Sequence, residues 1–139
     1  MVHLIIGLKG EGKTRELLDK VNTEIKNANG NIVYLDINSM HMYELNNKIR
    51  LIDVSRFPIK NSDEFVGFIS GIISQDHDLQ TVYLDAFRKC ARLEDADVTE
   101  TVLRLDKIST MFNVEIVISL TEDITQISDE LKDKVLVAL

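Results

Sequence analysis

The chain has 139 residues, 45% of them hydrophobic, which is enough for one domain with a proper core. Its net charge of -7 argues against non-specific binding to DNA or RNA, because such binding depends on lysines and arginines that neutralise phosphates. The longest apolar stretch, Phe65 to Ile73, is far shorter than the roughly 20 residues that span a bilayer, and the single cysteine, Cys90, suits a reducing compartment. We therefore expect one cytoplasmic domain, residues 1–139, without a membrane span and without nucleic acid as a partner.

Apolar runs alternate with longer amphipathic segments, which is the pattern of an α/β fold with a mostly parallel sheet and helices on both faces. Asn29-Gly30 is expected to close the first helix with a left-handed cap, and Asp97 and Glu100 stand in capping-box spacing in the third. In chain order we predict the strand Val2 to Ile6, the helix Lys13 to Lys26, the strands Asn31 to Asp36 and Ile49 to Val54, the helix Ser62 to Ser74, the strand Thr81 to Asp85, the helix Asp95 to Phe112, the strand Val114 to Ser119, the helix Ser128 to Lys132 and the strand Lys134 to Ala138.

Where the first strand leads into the first helix, the glycine-rich octapeptide from Gly7 to Thr14 fits the phosphate-loop (Walker A) pattern G-x-x-x-x-G-K-[ST]. In such a loop the glycines let the backbone fold around phosphate oxygens, the N–H groups and the helix N-terminus attract anions, and the lysine adds a mobile positive charge. The pattern predicts a single-domain P-loop nucleotide-binding fold in which Lys13 is catalytic and the Thr14 hydroxyl binds Mg²⁺. The predicted nucleotide-binding residues are Gly7, Lys9, Gly10, Glu11, Gly12, Lys13, Thr14 and Arg15.

Two aspartates that end apolar strands are candidates for the rest of the site. Asp85 follows Thr81-Val82-Tyr83-Leu84 and is predicted to hold Mg²⁺ directly or through water, as a Walker B carboxylate; the alternative is an aspartate that only caps a turn. Ala86 stands where many ATPases with an extra strand between the loop and metal strands have a water-activating glutamate. Asp36 is therefore the candidate catalytic base, although it is equally typical of a turn before Asn38-Ser39.

Two further features leave alternatives open. Arg88 and Arg92 are spaced i, i+4 just after Asp85 and are compatible with an arginine finger, a phosphate clamp or a solvated surface. In the helix from Phe65 to Ser74, small residues share one face, which indicates either tight packing on the sheet or an interface with a second copy or a protein partner. These small residues are Gly67, Ser70, Gly71 and Ser74.

Four segments carry a family resemblance that covers nearly the whole chain: Ile5-Ile6-Gly7, Gly30-Asn31-Ile32-Val33, Arg50-Leu51-Ile52-Asp53 and Val82-Tyr83-Leu84-Asp85. In these the chain resembles short bacterial P-loop ATP-binding proteins, some of them labelled twitching-motility ATPases. The resemblance implies a RecA-like core that binds ATP. It does not imply motility, because pilus-retraction motors look much larger and carry motifs that cannot be placed here.

ATP is favoured over GTP, since no D-x-x-G follows Asp85 and Asn47-Lys48-Ile49-Arg50 lacks the carboxylate that reads guanine. The sequence therefore predicts that ATP and Mg²⁺ bind, and that ATP is hydrolysed slowly by a switch or assembly component. A small-molecule kinase and a non-catalytic ATP-binding regulatory module are the alternatives.

Overall fold

Six parallel strands form one sheet in the computed structural model, which describes residues 1–139. The strands are β1 (Val2–Gly7), β2 (Asn31–Asp36), β3 (Arg50–Asp53), β4 (Leu79–Leu84), β5 (Glu115–Thr121) and β6 (Val135–Ala138), in the order β3-β2-β4-β5-β1-β6. Every neighbouring pair is parallel, and the central strands are buried on both faces, as expected for apolar runs in a parallel sheet. The predicted α/β class and all six strands are confirmed.

Helices cover both faces of this sheet. They are α1 (Lys13–Glu24), α2 (Ser62–Gln75), α3 (Phe87–Cys90) and α4 (Thr99–Phe112), and 3-10 turns lie at Ile25–Asn27, Met42–Glu44, Val54–Arg56 and Asp129–Lys134. One core lies between the sheet and α1 and includes Leu17, Leu18 and Val21. The larger core lies on the opposite face and includes residues of α2, α3 and α4. None of the helices has the length and apolar character needed to cross a membrane.

Three local predictions are wrong. The third predicted helix begins at Thr99 rather than Asp95, because the Asp97 carboxylate accepts hydrogen bonds from the Thr99 backbone and hydroxyl and holds a turn before the helix. The predicted helix Ser128 to Lys132 is replaced by the 3-10 turn Asp129–Lys134. The first helix does not end in a left-handed cap at Asn29-Gly30: it ends at Glu24 and continues as a 3-10 turn.

The glycines of α2 do not pack tightly on the sheet. Phe65, Ile69 and Ile73 recur at helical spacing and bury the opposite side of the helix. Gly67 and Gly71 are exposed, and a Cβ added at either would have no heavy atom within 4 Å. The tight-packing interpretation is therefore wrong, and the small-residue face of α2 borders open space.

Because this space is free, we expect Gly67→Ala and Gly71→Ala each to raise the free energy of unfolding by about 0.5–1 kcal/mol. Alanine is favoured over glycine in a helix interior by this amount and restricts the unfolded chain. Urea denaturation followed by circular dichroism measures both changes.

Gly30→Ala is the matched control, since a Cβ there would overlap the backbone oxygen of Asp78 and would lie 3.1 Å from the Cβ of Gln80. This variant should lose roughly 1–3 kcal/mol, as overpacked sites do. Destabilisation by Gly67→Ala or Gly71→Ala would contradict the open face.

Candidate functional site

The strand register brings polar residues into one row at the carboxyl ends of four strands. Asp36 pairs with Asp53, and the neighbouring pairs Leu35 with Leu84 and Leu84 with Ile118 align Asp36, Asp85 and Ser119 in turn. Residues two positions earlier on three of these strands, Tyr34, Tyr83 and Val117, pack in the core under α1. Since side chains alternate along a strand, Asp36, Asp85 and Ser119 face the same side as α1.

Asp85 is 4% exposed and is held by three hydrogen-bond donors from three segments. The Tyr34 hydroxyl donates to Oδ2 at 2.8 Å, the Ser119 hydroxyl donates to Oδ1 at 2.8 Å, and the Ala86 N–H donates to Oδ1 at 2.9 Å. Burial and the Asp85 carboxylate raise the pKa of Tyr34 far above its ordinary range, so this phenol stays a donor. The sequence did not predict this role of Tyr34, because a tyrosine in an apolar strand is typical of a core residue.

Ala86 has a left-handed backbone, with φ of 50° and ψ of 45°. This conformation is uncommon for a residue with a Cβ. It aims the Ala86 N–H at both Asp85 Oδ1 and Ser119 Oγ. The residue after Asp85 therefore contributes its amide to the site, and its small side chain borders the cavity described below.

The loop formed by residues 7–14 joins β1 to α1 through two glycines with positive φ, 84° at Gly10 and 95° at Gly12. No side chain caps the N-terminus of α1. The Lys13 ammonium donates to the Leu8 carbonyl at 3.0 Å, and partial burial lowers the pKa of Lys13 while the Asp85 and Glu11 carboxylates oppose that shift. An uncapped helix N-terminus beside a lysine is suited to an anion.

A cavity of about 410 Å³ lies between this loop and α3. Its lining includes Lys9, Gly10, Lys13 and Thr14 together with Asp85. These residues are therefore neighbours, as the sequence predicted. Its remaining lining residues are Ala86, Phe87, Arg88, Lys89, Glu94, Ser119 and Thr121. Glu94 is the lining carboxylate that the sequence reading missed, since it lies on a loop without any motif.

Several predicted nucleotide-binding residues lie outside this lining. Gly7 ends β1, where an added Cβ would lie 3.2 Å from the Cβ of Leu139. Glu11 is exposed and accepts a hydrogen bond from the Leu8 N–H, and Gly12 supplies the left-handed turn into α1. Arg15 points away, because its guanidinium donates to Glu44 at 2.8 Å.

Asp36, the candidate base, lies beside the cavity rather than in its lining. It is 5% exposed, and its carboxylate accepts a hydrogen bond from the Ile37 N–H at 2.7 Å. Burial, and then the charge of Asp85, raise the pKa of Asp36 from 3.8 to about 6. A carboxylate with such a pKa can exchange protons near neutral pH.

The two arginines after Asp85 are held by backbone carbonyls. Arg88 donates to the carbonyls of Thr121, Leu93 and Ala96 and forms an ion pair with Glu122 at 2.8 Å. Arg92 donates to the Ile59 carbonyl at 3.0 Å. Their guanidinium groups tie loops together, so Lys9, Lys13 and Lys89 are the lining cations without an ion pair.

Comparison with known proteins supports the fold alone. No protein-family model matches the chain, and no curated protein matches it. Among solved structures, the chain is similar to that of C. elegans PCH-2, with a TM-score of 0.56 and 15% sequence identity over 99% of this chain and 34% of PCH-2. The chain thus spans about a third of the length of PCH-2. Similarity at this level of identity does not identify a function.

Asp36→Asn should change how stability depends on pH. Folding raises the pKa of Asp36, so its proton stabilises the folded state at low pH, and that contribution is lost as the pH rises from about 4 through about 6. The variant, which carries no titrating group there, should gain stability relative to the wild type between about pH 4 and about pH 7. Chemical denaturation at both pH values measures the difference.

Asp133→Asn, at an exposed position, controls for the change in net charge. If both variants shift the pH dependence equally, Asp36 does not titrate in the way that its burial implies.

Proposed function

We propose that this domain binds Mg·ATP in the cavity between the 7–14 loop and Asp85, and that it hydrolyses ATP slowly as a switch or assembly component. One observation carries the proposal: Lys13 and Thr14 line the same cavity as the buried, oriented carboxylate of Asp85. Membership in the family of short bacterial P-loop ATP-binding proteins, with a RecA-like core, belongs to the same proposal.

The donor set suits a magnesium-bound triphosphate. Backbone N–H groups from Gly10 to Thr14 would hold phosphate oxygens, and the Lys13 ammonium would exchange the Leu8 carbonyl for the β and γ oxygens. Hard cations such as Mg²⁺ take oxygen ligands, which the Thr14 hydroxyl and Asp85 would provide directly or through water. The order of strands supports this assignment of Asp85. β5 lies between β1, which leads into the loop, and β4, which leads to Asp85, as in the ATPases that have an extra strand between the loop and metal strands.

Slow hydrolysis follows from the scarcity of carboxylates in the cavity. Ala86 replaces the expected glutamate, and the lining carboxylates are Asp85 and the exposed Glu94. We propose Asp36 as the group that activates water, through its position beside Asp85 and its raised pKa. The same scarcity favours a non-catalytic ATP-binding module as the second candidate. A small-molecule kinase has less support, since Arg88 and Arg92 are engaged with carbonyls.

Calorimetry with ATP tests the binding site. Lys13→Ala should abolish detectable Mg·ATP binding, because it removes a charge-assisted contact with phosphate while leaving the core unchanged. Asp85→Asn should weaken binding more in the presence of magnesium than in its absence, because its proposed partner is the coordination sphere of the cation.

Lys20→Ala, an exposed change on the same helix, is the control and should bind ATP like the wild type. Unchanged ATP affinity in a folded Lys13→Ala variant would remove the basis of the proposal. Equal losses for Asp85→Asn with and without magnesium would give Asp85 a structural role.

Turnover tests the catalytic assignment. The wild-type rate should lie at or below the low end of the roughly 1–10³ s⁻¹ that is typical of enzymes. Asp36→Asn should preserve ATP affinity and lower that rate, since general bases typically contribute about 10²–10⁴-fold. Phosphate release at saturating Mg·ATP is the measurement, and Glu94→Gln is the matched comparison.

If only Glu94→Gln lowers the rate of hydrolysis, Glu94 rather than Asp36 is the catalytic base. Tight ATP binding without any phosphate release in the wild type would favour the non-catalytic module.

A further inference from the structure

The outer edge of β3 is open and borders two cavities. β3 ends the sheet and pairs with β2 alone, in continuous register from Arg50 to Asp53. Cavities of about 890 Å³ and 680 Å³ lie next to it, and both are lined by Arg50, Ile52 and Phe68. An edge strand presents unpaired N–H and C=O groups that can hydrogen-bond to another extended chain.

The other edge of the sheet differs. The register of β6 against β1 shifts between Leu4 and Ile5, and such irregularities twist an edge away from further pairing. The β2–β3 pair has no such shift, and the one proline, Pro58, lies beyond the strand. β3 is therefore the edge that is suited to accept another strand.

The two cavities can receive the side chains of an added strand. The larger one is bordered by Met42, Phe57 and Tyr43, which is 92% exposed. The smaller one is bordered by Gly67 and Gly71, whose missing side chains leave the space open. Alternate side chains of an added strand point to opposite faces, and Arg50 and Ile52, which line both cavities, share one face of β3. The side chains of an added strand on that face would meet this shared lining.

Charge indicates the nature of the occupant. Residues 48–60 contain four cations, Lys48, Arg50, Arg56 and Lys60, and one acid, Asp53, in a chain of net charge -7. None of these four cations forms an ion pair, and the Asp53 carboxylate is bonded to Ser55. A basic edge with apolar borders complements an acidic strand.

We propose that β3 binds an extended, acidic segment of a partner protein, which adds to the sheet as a seventh strand. A second copy of this chain is a poorer fit, because a two-fold contact through β3 would set the same four cations against each other. Nucleic acid is a poorer fit as well, because it cannot complete the backbone pairing of a strand edge. The proposal does not depend on nucleotide binding.

A blocked peptide of alternating glutamate and valine serves as the probe, and its lysine–valine counterpart as the control. In an NMR titration of the full chain, the acidic peptide should bind saturably, shift the amide signals of residues 48–53 and protect amides of β3 from exchange. Binding should weaken as ionic strength rises, since the charges are exposed. The basic peptide should not bind.

Two variants locate the binding surface. The double variant Arg50→Glu with Arg56→Glu should bind the acidic peptide with about tenfold lower affinity, as expected when two exposed charge pairs are reversed. Gly67→Leu should fill the smaller cavity and abolish binding, and its stability should not fall, because an added Cβ there meets no atom within 4 Å. Lys13→Ala should bind the peptide like the wild type.

Three results with the peptides would overturn the proposal. They are the absence of saturable binding up to about 1 mM peptide, equal binding of the basic peptide, and full binding by the folded Gly67→Leu variant. Self-association through β3, detected by sedimentation and by shifts of the same amides without peptide, would overturn it in favour of a second copy. Loss of ATP binding in Lys13→Ala has no bearing on these outcomes.

Discussion

The proximity of two buried carboxylates, Asp85 and Asp36, is the constraint on which the candidate site depends. Adjacent strands lie about 4.8 Å apart, and two unit charges about 5 Å apart repel by roughly 3 kcal/mol at an effective dielectric constant of about 20. Asp85 is compensated by three donated hydrogen bonds. Asp36 accepts one backbone hydrogen bond, which does not offset the effect of burial and of the Asp85 charge, and its pKa is raised. The two neighbours therefore differ in their tendency to hold a proton.

The hydrogen bonds to Asp85 come from neighbouring strands and from the start of α3. Tyr34 reaches it from β2 and stacks on Tyr83 in the core under α1, with ring centroids 6.2 Å apart. Ser119 reaches it from β5, and Ala86 adopts a left-handed backbone that turns its N–H inward. Three strands and the start of α3 are thus fixed relative to one carboxylate, and the position of the 7–14 loop on β1 follows from the pairing of β1 with β5.

The sequence predicted the features that depend on local patterns and missed those that depend on neighbouring strands. Hydrophobic runs located all six strands, and Asp85 was recognised because it ends one of them. The order of the strands makes Tyr34 a partner of Asp85 and keeps Asp36 out of the cavity lining, and no spacing along the chain reveals either fact. The glycines of α2 left tight packing and an interface both open, since a small side chain is equally compatible with contact and with open space.

The charge arrangement also suggests why a cation would matter for this fold. With Asp36 ionised, the row from Asp53 through Asp36 to Asp85 contains three carboxylates on adjacent strands, and Lys13 is the nearby cation that acts on Asp85. Burial and then the charge of Asp85 raise the pKa of Asp36, and a divalent ion at Asp85 would relieve the second of these effects. Binding of the ion and loss of the Asp36 proton would then favour each other. A ligand that binds only the folded state stabilises it. If Asp85 holds magnesium as proposed, the ion would stabilise the fold most at the pH values where Asp36 is ionised, and the stability of the sheet would depend on the occupancy of its carboxyl edge.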